Sequence, residues 1–480
     1  MKRCKPVLGA GLVALSMGIA VPSARAEISL IDALTKGKVD FFARMRYEHV
    51  EDDGSARGTG ATRIPFKDAD ALTLRTALGY ETKLFHGFGG YLQFEDVRSL
   101  VDDYNDGTYV APAAGAITTR AKFASIIDPE GTEVQQANMR YEGLPYTVIR
   151  AGRQEIQHRD APLHRFIGNI LWRQNWQSFD AVRVTTSLVP DLETGARLLN
   201  LDYTYAWNVD RIFGEDNVLP DRADYPMASH FFKANWDGFA LAKLEGYVYS
   251  LDFNHGALPT IGGKGNASFG LSTNTFGIRA EGSKGFGTKL RVLYTGEFAH
   301  QTDAYNNPAA IDVNYYLGEG GIVYSIGKKW LKDITLKASY EVLEGDGVAT
   351  VPGTATKVRQ SFQTPLGTNH AFQGWADRFL TTPGDGIDDL FFTMKATVVG
   401  NNLMLMYHDF SSDHLNYDYG TEIDVVAERP INKNFMVGAK YADYQADSDP
   451  TNRARDTAAL GGVGQSFDKE IVWVYAQFKY

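Results

Sequence analysis

The chain has 480 residues, 58 of them acidic against 48 basic, for a formal charge of −10, and a single cysteine. That balance excludes the basic footprint a nucleic-acid partner needs, and one cysteine excludes a disulfide-stapled scaffold. Tyrosine (25), phenylalanine (27) and glycine (48) are nevertheless plentiful.

The chain opens with "MKRCKPVLGAGLVALSMGIAVPSARA". Three cations, an apolar run and the Ala24-Arg25-Ala26 site read as a secretory signal peptide over residues 1–26, too short and Gly-rich for a spanning helix. Cys4 precedes the apolar run, so it is not a lipoprotein acceptor. Cleavage removes four cations and no acid, leaving a net charge of about −14 and no cysteine. Beyond Ala26 no apolar stretch approaches the roughly 20 residues of a membrane helix. An exported Tyr/Phe/Gly-rich chain without such a helix points to an outer-membrane β-barrel over residues 27–480.

Period-two alternation predicts strands at 39–50, 72–84, 89–97, 134–142, 147–155, 178–186, 197–209, 228–236 and 240–253. It continues at 272–283, 287–300, 313–325, 333–344, 388–399, 402–412, 419–429, 434–445 and 468–480. The fold class is therefore all-β, a transmembrane antiparallel barrel of about 18 strands. Connections after even-numbered strands are short, as in "FHGFG", "EGLPY" and "VVGNN", with the Gly and Asn that turns require. All odd-numbered connections but one are long, such as 51–71, 98–133, 156–177, 345–387 and 446–467. With both termini periplasmic, the short turns face inward and the long loops outward.

Along the strands one face is apolar. Phe41, Ala43, Met45 and Tyr47 alternate with Phe42, Arg44, Arg46 and Glu48; in the last strand Val472, Val474, Ala476, Phe478 and Tyr480 alternate with Trp473, Tyr475 and Gln477. Lipid suits the first face and water the second, and the last strand is expected to pair with the first, so that closure leaves no edge. The inward positions carry Arg44, Arg46, Arg75, Arg140, Arg150 or Arg153, Arg183, Lys233, Arg279, Arg291, Lys337, Lys395 and Lys440, with acids such as Glu48, Glu81, Glu297 and Glu341 interspersed. Cations fixed in a low-dielectric wall favour anions; the plainer alternative is that they only solvate the lumen and pair with the acids.

Four runs carry a family resemblance: "LTLRTALGYETKLFHGFGGYLQFED", "EVQQANMRYEGLPYTVIRAGRQEI", "FIGNILWRQNWQSFDAVRV" and "FQTPLGTNHAFQGWADRFLTTPGDGIDDLFF". Together they resemble the alginate export family of outer-membrane proteins, with "AGRQ" at 151–154, "NWQSFD" at 175–180 and "GWADRFLTTP" at 374–383 the most distinctive pieces. The resemblance implies an 18-stranded barrel whose Arg/Lys constriction passes a mannuronate and guluronate polysaccharide to the cell surface. Its arginine pattern maps onto Arg44 or Arg46, Arg75, Arg140 and Arg153, with Asp180 an orienting acid. The implied surroundings are outer-membrane lipid, lipopolysaccharide and a periplasmic export scaffold, and the chain is expected as a monomer.

The expected function is an anion-selective exporter of an acidic polysaccharide; the alternative is a porin for uptake of small solutes. An enzyme is not expected: HExxH, GxSxG and Walker A spacings are absent, and no cofactor is implied. "DDYNDG" at 102–107 has the oxygens of a Ca²⁺ loop without its bidentate Glu. The 345–387 loop is either a gate folded into the lumen or an ordered surface lid.

Overall fold

The computed structural model describes residues 28–480 except 58–60, 62, 109–119, 162–164, 192–193, 216, 218–219, 254–270, 306, 308 and 351–356; the expected signal peptide lies outside the described residues. Eighteen strands form one antiparallel sheet. The first nine are β1 Lys38–Asp52, β2 Ala69–Glu81, β3 Phe88–Asp103, β4 Gly131–Leu144, β5 Thr147–Gln154, β6 Ser178–Pro190, β7 Arg197–Asp210, β8 Asp224–Trp236 and β9 Lys243–Leu251. The others are β10 Thr273–Phe286, β11 Leu290–Asp303, β12 Asp312–Lys328, β13 Leu331–Leu343, β14 Ile387–Val398, β15 Asn401–Ser411, β16 Asp418–Pro430, β17 Phe435–Ala446 and β18 Lys469–Lys479. Each pairs with its successor in the chain, and β18 pairs with β1, with Ala476 opposite Met45. Closure satisfies the backbone of both terminal strands internally, as a hydrocarbon environment demands.

The exterior follows from the alternation. Leu78, Phe94, Phe276, Ile278, Leu336, Phe392, Val425 and Val474 stand exposed on the outer face, a belt that lipid covers and water would not tolerate. No helix among the described residues is long and apolar enough to cross a membrane; the crossing is made by strands. The short connections 145–146, 287–289, 329–330 and 399–400 gather at one rim with both ends of the described chain. There the helix α1 (Leu30–Thr35), N-capped by Ser29, receives a hydrogen bond from Tyr80 Oη to Leu34 O at 2.6 Å. Tyr480 N donates to Phe41 O at 2.8 Å at the same rim.

The hydrophobic core lies inside the barrel, in the half nearer the long loops. Phe166, Ile167, Phe362, Leu366, Trp375 and Phe379 come from the connections 155–177 and 344–386. They pack against inward aromatics of the wall, including Tyr249, Tyr315, Phe410, Tyr419, Tyr444 and Trp473. The 345–387 loop thus folds into the lumen and is not a surface lid. A wall this wide cannot be filled by its own side chains, so loops fill it.

Candidate functional site

β1 carries the docking point of the first lumenal loop. Arg44, Arg46 and Glu48 point inward and are almost fully buried, while Met45 and Tyr47 between them face out. Arg44 Nε donates to Gln174 Oε1 at 3.0 Å and its Nη1 to Leu171 O at 2.9 Å. Arg46 reaches Trp172 O and the Asp128 carboxylate. Arg75, opposite Arg44 in the β1–β2 register, pairs with Glu95, donates to Gln174 O and lies 3.9 Å from the Trp176 ring. Gln174 closes the set: its amide nitrogen donates to Thr73 Oγ1 at 2.8 Å and its backbone N–H to Asp128 Oδ1 at 2.8 Å. Three arginines expected to line a pore therefore turn donors to loop carbonyls, to Gln174 and to buried acids, and of the three only Arg44 also lines the cavity described below. Among its described residues this loop has no helix and only the isolated bridge of Ile167 with Leu366, so its carbonyls need such partners.

The second loop joins the first. Arg173 bridges Glu48 at 3.3 Å and Asp377 at 3.1 Å; burial disfavours its charge, but Glu48, Asp128 and Asp377 outweigh this and hold its pKa above the ordinary value. Asp377 Oδ1 lies 2.6 Å from His370 Nδ1, and His370 Nε2 lies 2.6 Å from Lys440 Nζ. The ammonium is boxed by Trp375 at 3.6 Å, Trp172 at 4.4 Å and Trp473 at 5.2 Å, and the His370 ring stacks on Trp172 at 4.7 Å. This geometry suits a neutral imidazole that accepts from Lys440 and donates to Asp377. Burial pushes His370 down to about 3, Asp377 offsetting part of the effect and Lys440 adding to it.

Below the docked loops, toward the rim of short turns, lies a cavity of about 1350 Å³. Twelve Lys/Arg and eight Asp/Glu side chains line it, an excess of cations that opposes the chain's net negative charge. Arg140 is held by Glu81 and Glu142, Arg279 by Glu297 at 2.7 Å and Glu281 at 3.1 Å, and Lys337 by Glu319 at 2.7 Å. The loop arginines Arg159 and Arg165 add to the lining, the first bound to Glu245 at 2.7 Å and the second to Glu341 at 3.0 Å. Burial disfavours the Arg159 charge, but Glu297 and Glu245 raise its pKa well above the ordinary value.

The remaining predicted residues sit elsewhere. Arg153 does meet Asp180, at 3.0 Å, but Asp210 at 3.0 Å and Glu215 at 2.5 Å complete its shell near the long loops, outside the cavity lining. Arg150 is the cavity-lining member of that pair of alternatives. Arg183 is chelated by Asp202 at 3.0 and 3.1 Å, and Arg291 is exposed near the rim of short turns. Lys233 donates to His158 O. In the acidic loop, Asp106 and Asp102 are bridged by Arg120, and no cluster of metal-ligating side chains occurs among the described residues. Sequence reasoning missed Arg159, Arg165 and Arg173. The available signal was three arginines among the aromatics of one loop, "HRDAPLHRFIGNILWRQNW", a composition suited to burial rather than to solvent.

No protein-family model matches the chain, and no curated protein matches it; the expected membership of the alginate export family finds no support there. Solved structures do match. Acinetobacter baumannii OccAB2 aligns with TM-score 0.60 and 12% identity over 94% of this chain and 99% of its own. Pseudomonas aeruginosa OccK9 (OpdG) aligns with TM-score 0.59 and 12% identity over 93% and 100%, and P. aeruginosa OpdK, solved with vanillate, with TM-score 0.56 and 10% identity over 92% and 98%. At such identity the likeness establishes the fold, the closed 18-strand barrel of the bacterial outer membrane.

Proposed function

We propose that this barrel is a substrate-selective channel through which small anionic solutes diffuse across the bacterial outer membrane, made for export by the signal peptide of residues 1–26. The observation that carries the reading is the cavity with its twelve cations and eight acids, set beneath loops that narrow the lumen. Fixed positive charge in a low-dielectric wall concentrates anions, and acids that already pair five of the twelve cations, Arg140, Arg159, Arg165, Arg279 and Lys337, keep those sites from binding too tightly to conduct.

Passage of a polyuronate chain has less support. It would have to displace loops fastened to β1, β2 and β17 by Gln174, Arg173 and the His370–Lys440 contact. Solutes that fit a cavity of about 1350 Å³ do not require that.

The test is the reversal potential of the purified protein in a planar bilayer under a KCl gradient, followed by solute-driven swelling of proteoliposomes. Anion preference with entry of small carboxylates and no entry of oligomannuronate supports the proposal. Cation preference would overturn it, and entry of the oligomer at a rate comparable to the small solutes would restore polysaccharide passage.

A further inference from the structure

The short turns at 287–289 and 329–330 lie side by side at one rim, joined by Ser325 N donating to Lys289 O at 2.8 Å. With their flanks, residues 284–290 and 324–334, they carry Lys284, Lys289, Lys328, Lys329 and Lys332 against one acid, Asp333. All five lysines are exposed. None has an ion-pair or side-chain hydrogen-bond partner among the described residues, and none lines the lumenal cavity. Cations gathered this closely oppose one another unless an anion stands among them.

Lys284 gives the place of that anion. In the β10–β11 register it stands opposite Val292, which pairs in turn with Ile322 of β12, and Ile322 with Leu336 of β13. Ile322 and Leu336 are exposed members of the lipid-facing belt. Phe286, Leu290 and Tyr324 form the next row toward the rim, so Lys284 lies one row deeper in the lipid face than the aromatics. Its ammonium is 6.0 Å from the Phe286 ring, and the side chain therefore runs along the wall toward the turn. A cation on the lipid face is tolerated where its stem covers apolar surface and its head reaches the headgroups. Trp330, in the second turn and 58% exposed, is the amphipathic ring that marks this level.

The depth of Lys284 selects the partner. A soluble acidic protein or a cell-wall polymer reaches the turns but not a lysine set among Val292, Phe286 and lipid. A phospholipid reaches both, with its acyl chains along the Val292–Ile322–Leu336 row and its phosphate among the ammonium groups. Outer-membrane barrels carry their short turns on the periplasmic side, so the lipid belongs to the periplasmic leaflet. We propose that the outer face of β10–β13 at the rim of short turns is a binding site for an anionic phospholipid of that leaflet, held by Lys284 and the lysines of the two turns. The site is separate from the lumen, and failure of the channel reading would leave it untouched.

The test titrates the detergent-solubilised barrel with dioleoyl phosphatidylglycerol or dioleoyl phosphatidylethanolamine and counts bound lipid by native mass spectrometry. The two lipids share their acyl chains and a phosphate and differ in net charge. Phosphatidylglycerol should bind at least about tenfold more tightly, since each lysine at an anionic headgroup is worth about fivefold. K284Q/K328Q/K332Q should bring the two lipids level, with the heat-resistant folded band and the conductance of the parent. K284Q alone, a milder change, should weaken phosphatidylglycerol binding about fivefold. Equal binding of both lipids by the parent, or a preference that survives the triple substitution, would overturn the proposal. Displacement of the lipid by soluble glycerol phosphate would also overturn it and assign the lysines to a free phosphate.

Discussion

At the scale of single residues, His370 is one of the contacts that fasten the lumenal loops to the wall, reaching Lys440 while it stacks on Trp172 of the first loop. Its neutral state is built in by burial and by Lys440 Nζ at Nε2. An undocked histidine titrates near 6.5 and the docked one near 3, so between those values the undocked state binds the extra proton. Docking stability is therefore fully present above about pH 6.5 and is lost as pH falls toward 3, by about 1.4 kcal/mol per pH unit within the window. Single-channel records should become noisier and reach higher conductance levels between pH 6.5 and 4. H370F, which keeps a ring against Trp172 without a titrating group, should lose most of this dependence; an unchanged pH profile would assign the transition to the carboxylates of β16.

At the scale of elements, the described residues of the two lumenal connections are held in place because the barrel supplies their missing hydrogen-bond partners. The turn at Gln373–Trp375 shows how. Trp375 N and Ala376 N donate to Asp424 and Glu422 at 3.2 and 2.6 Å, and Gly374 holds φ at +78° with the Glu422 carboxylate 2.2 Å from where a Cβ would stand. Alanine there incurs a left-handed backbone cost of ~1 kcal/mol and also a clash with a buried acid. G374A should leave the barrel assembled, as judged by resistance to heat in detergent, yet expose the 344–386 loop to protease and raise conductance. A protease pattern like that of the parent would mean the acids of β16 can retreat without releasing the loop.

At the scale of the molecule, closure is the decisive step. The β18–β1 register runs from Phe42 opposite Lys479 to Asp52 opposite Lys469, and β18 also completes the sheet beside β17. Removing residues 469–480 would leave two long apolar edges in a hydrocarbon medium that cannot satisfy them. The truncated chain should fail to give a heat-resistant folded band in detergent or lipid; recovery of that band would show that β17 and β1 can close a smaller ring. Closure also turns the inward faces into the only space the long loops can share, which is why the core of this protein sits in its lumen.

The eighteen strands were legible because alternation is a local property: lipid outside and water or loop inside impose opposite demands on successive side chains, and every expected strand has its counterpart. Boundaries moved where apolar pattern and pairing differ. The second strand runs from Ala69 to Glu81 rather than 72–84, since residues 82–87 turn at the rim and Ala69 pairs with Val50. The inward direction of Arg44, Arg46, Arg75, Arg140, Arg279 and Lys337 could be read from the same alternation. What each one touches could not. Arg44 finds Gln174 at a separation of 130 residues and Arg46 finds Asp128 at 82, and such partners come together only after the ring closes and the loops descend. Alternation alone specifies the strands, their faces and the fold class; loop descent into the closed ring specifies which cations serve as loop anchors and which, like Arg150, line the cavity without an ion-pair partner among the described residues. The reason is physical: side-chain direction follows from backbone period within one strand, whereas neutralisation of a charge depends on distant groups brought within a few ångströms.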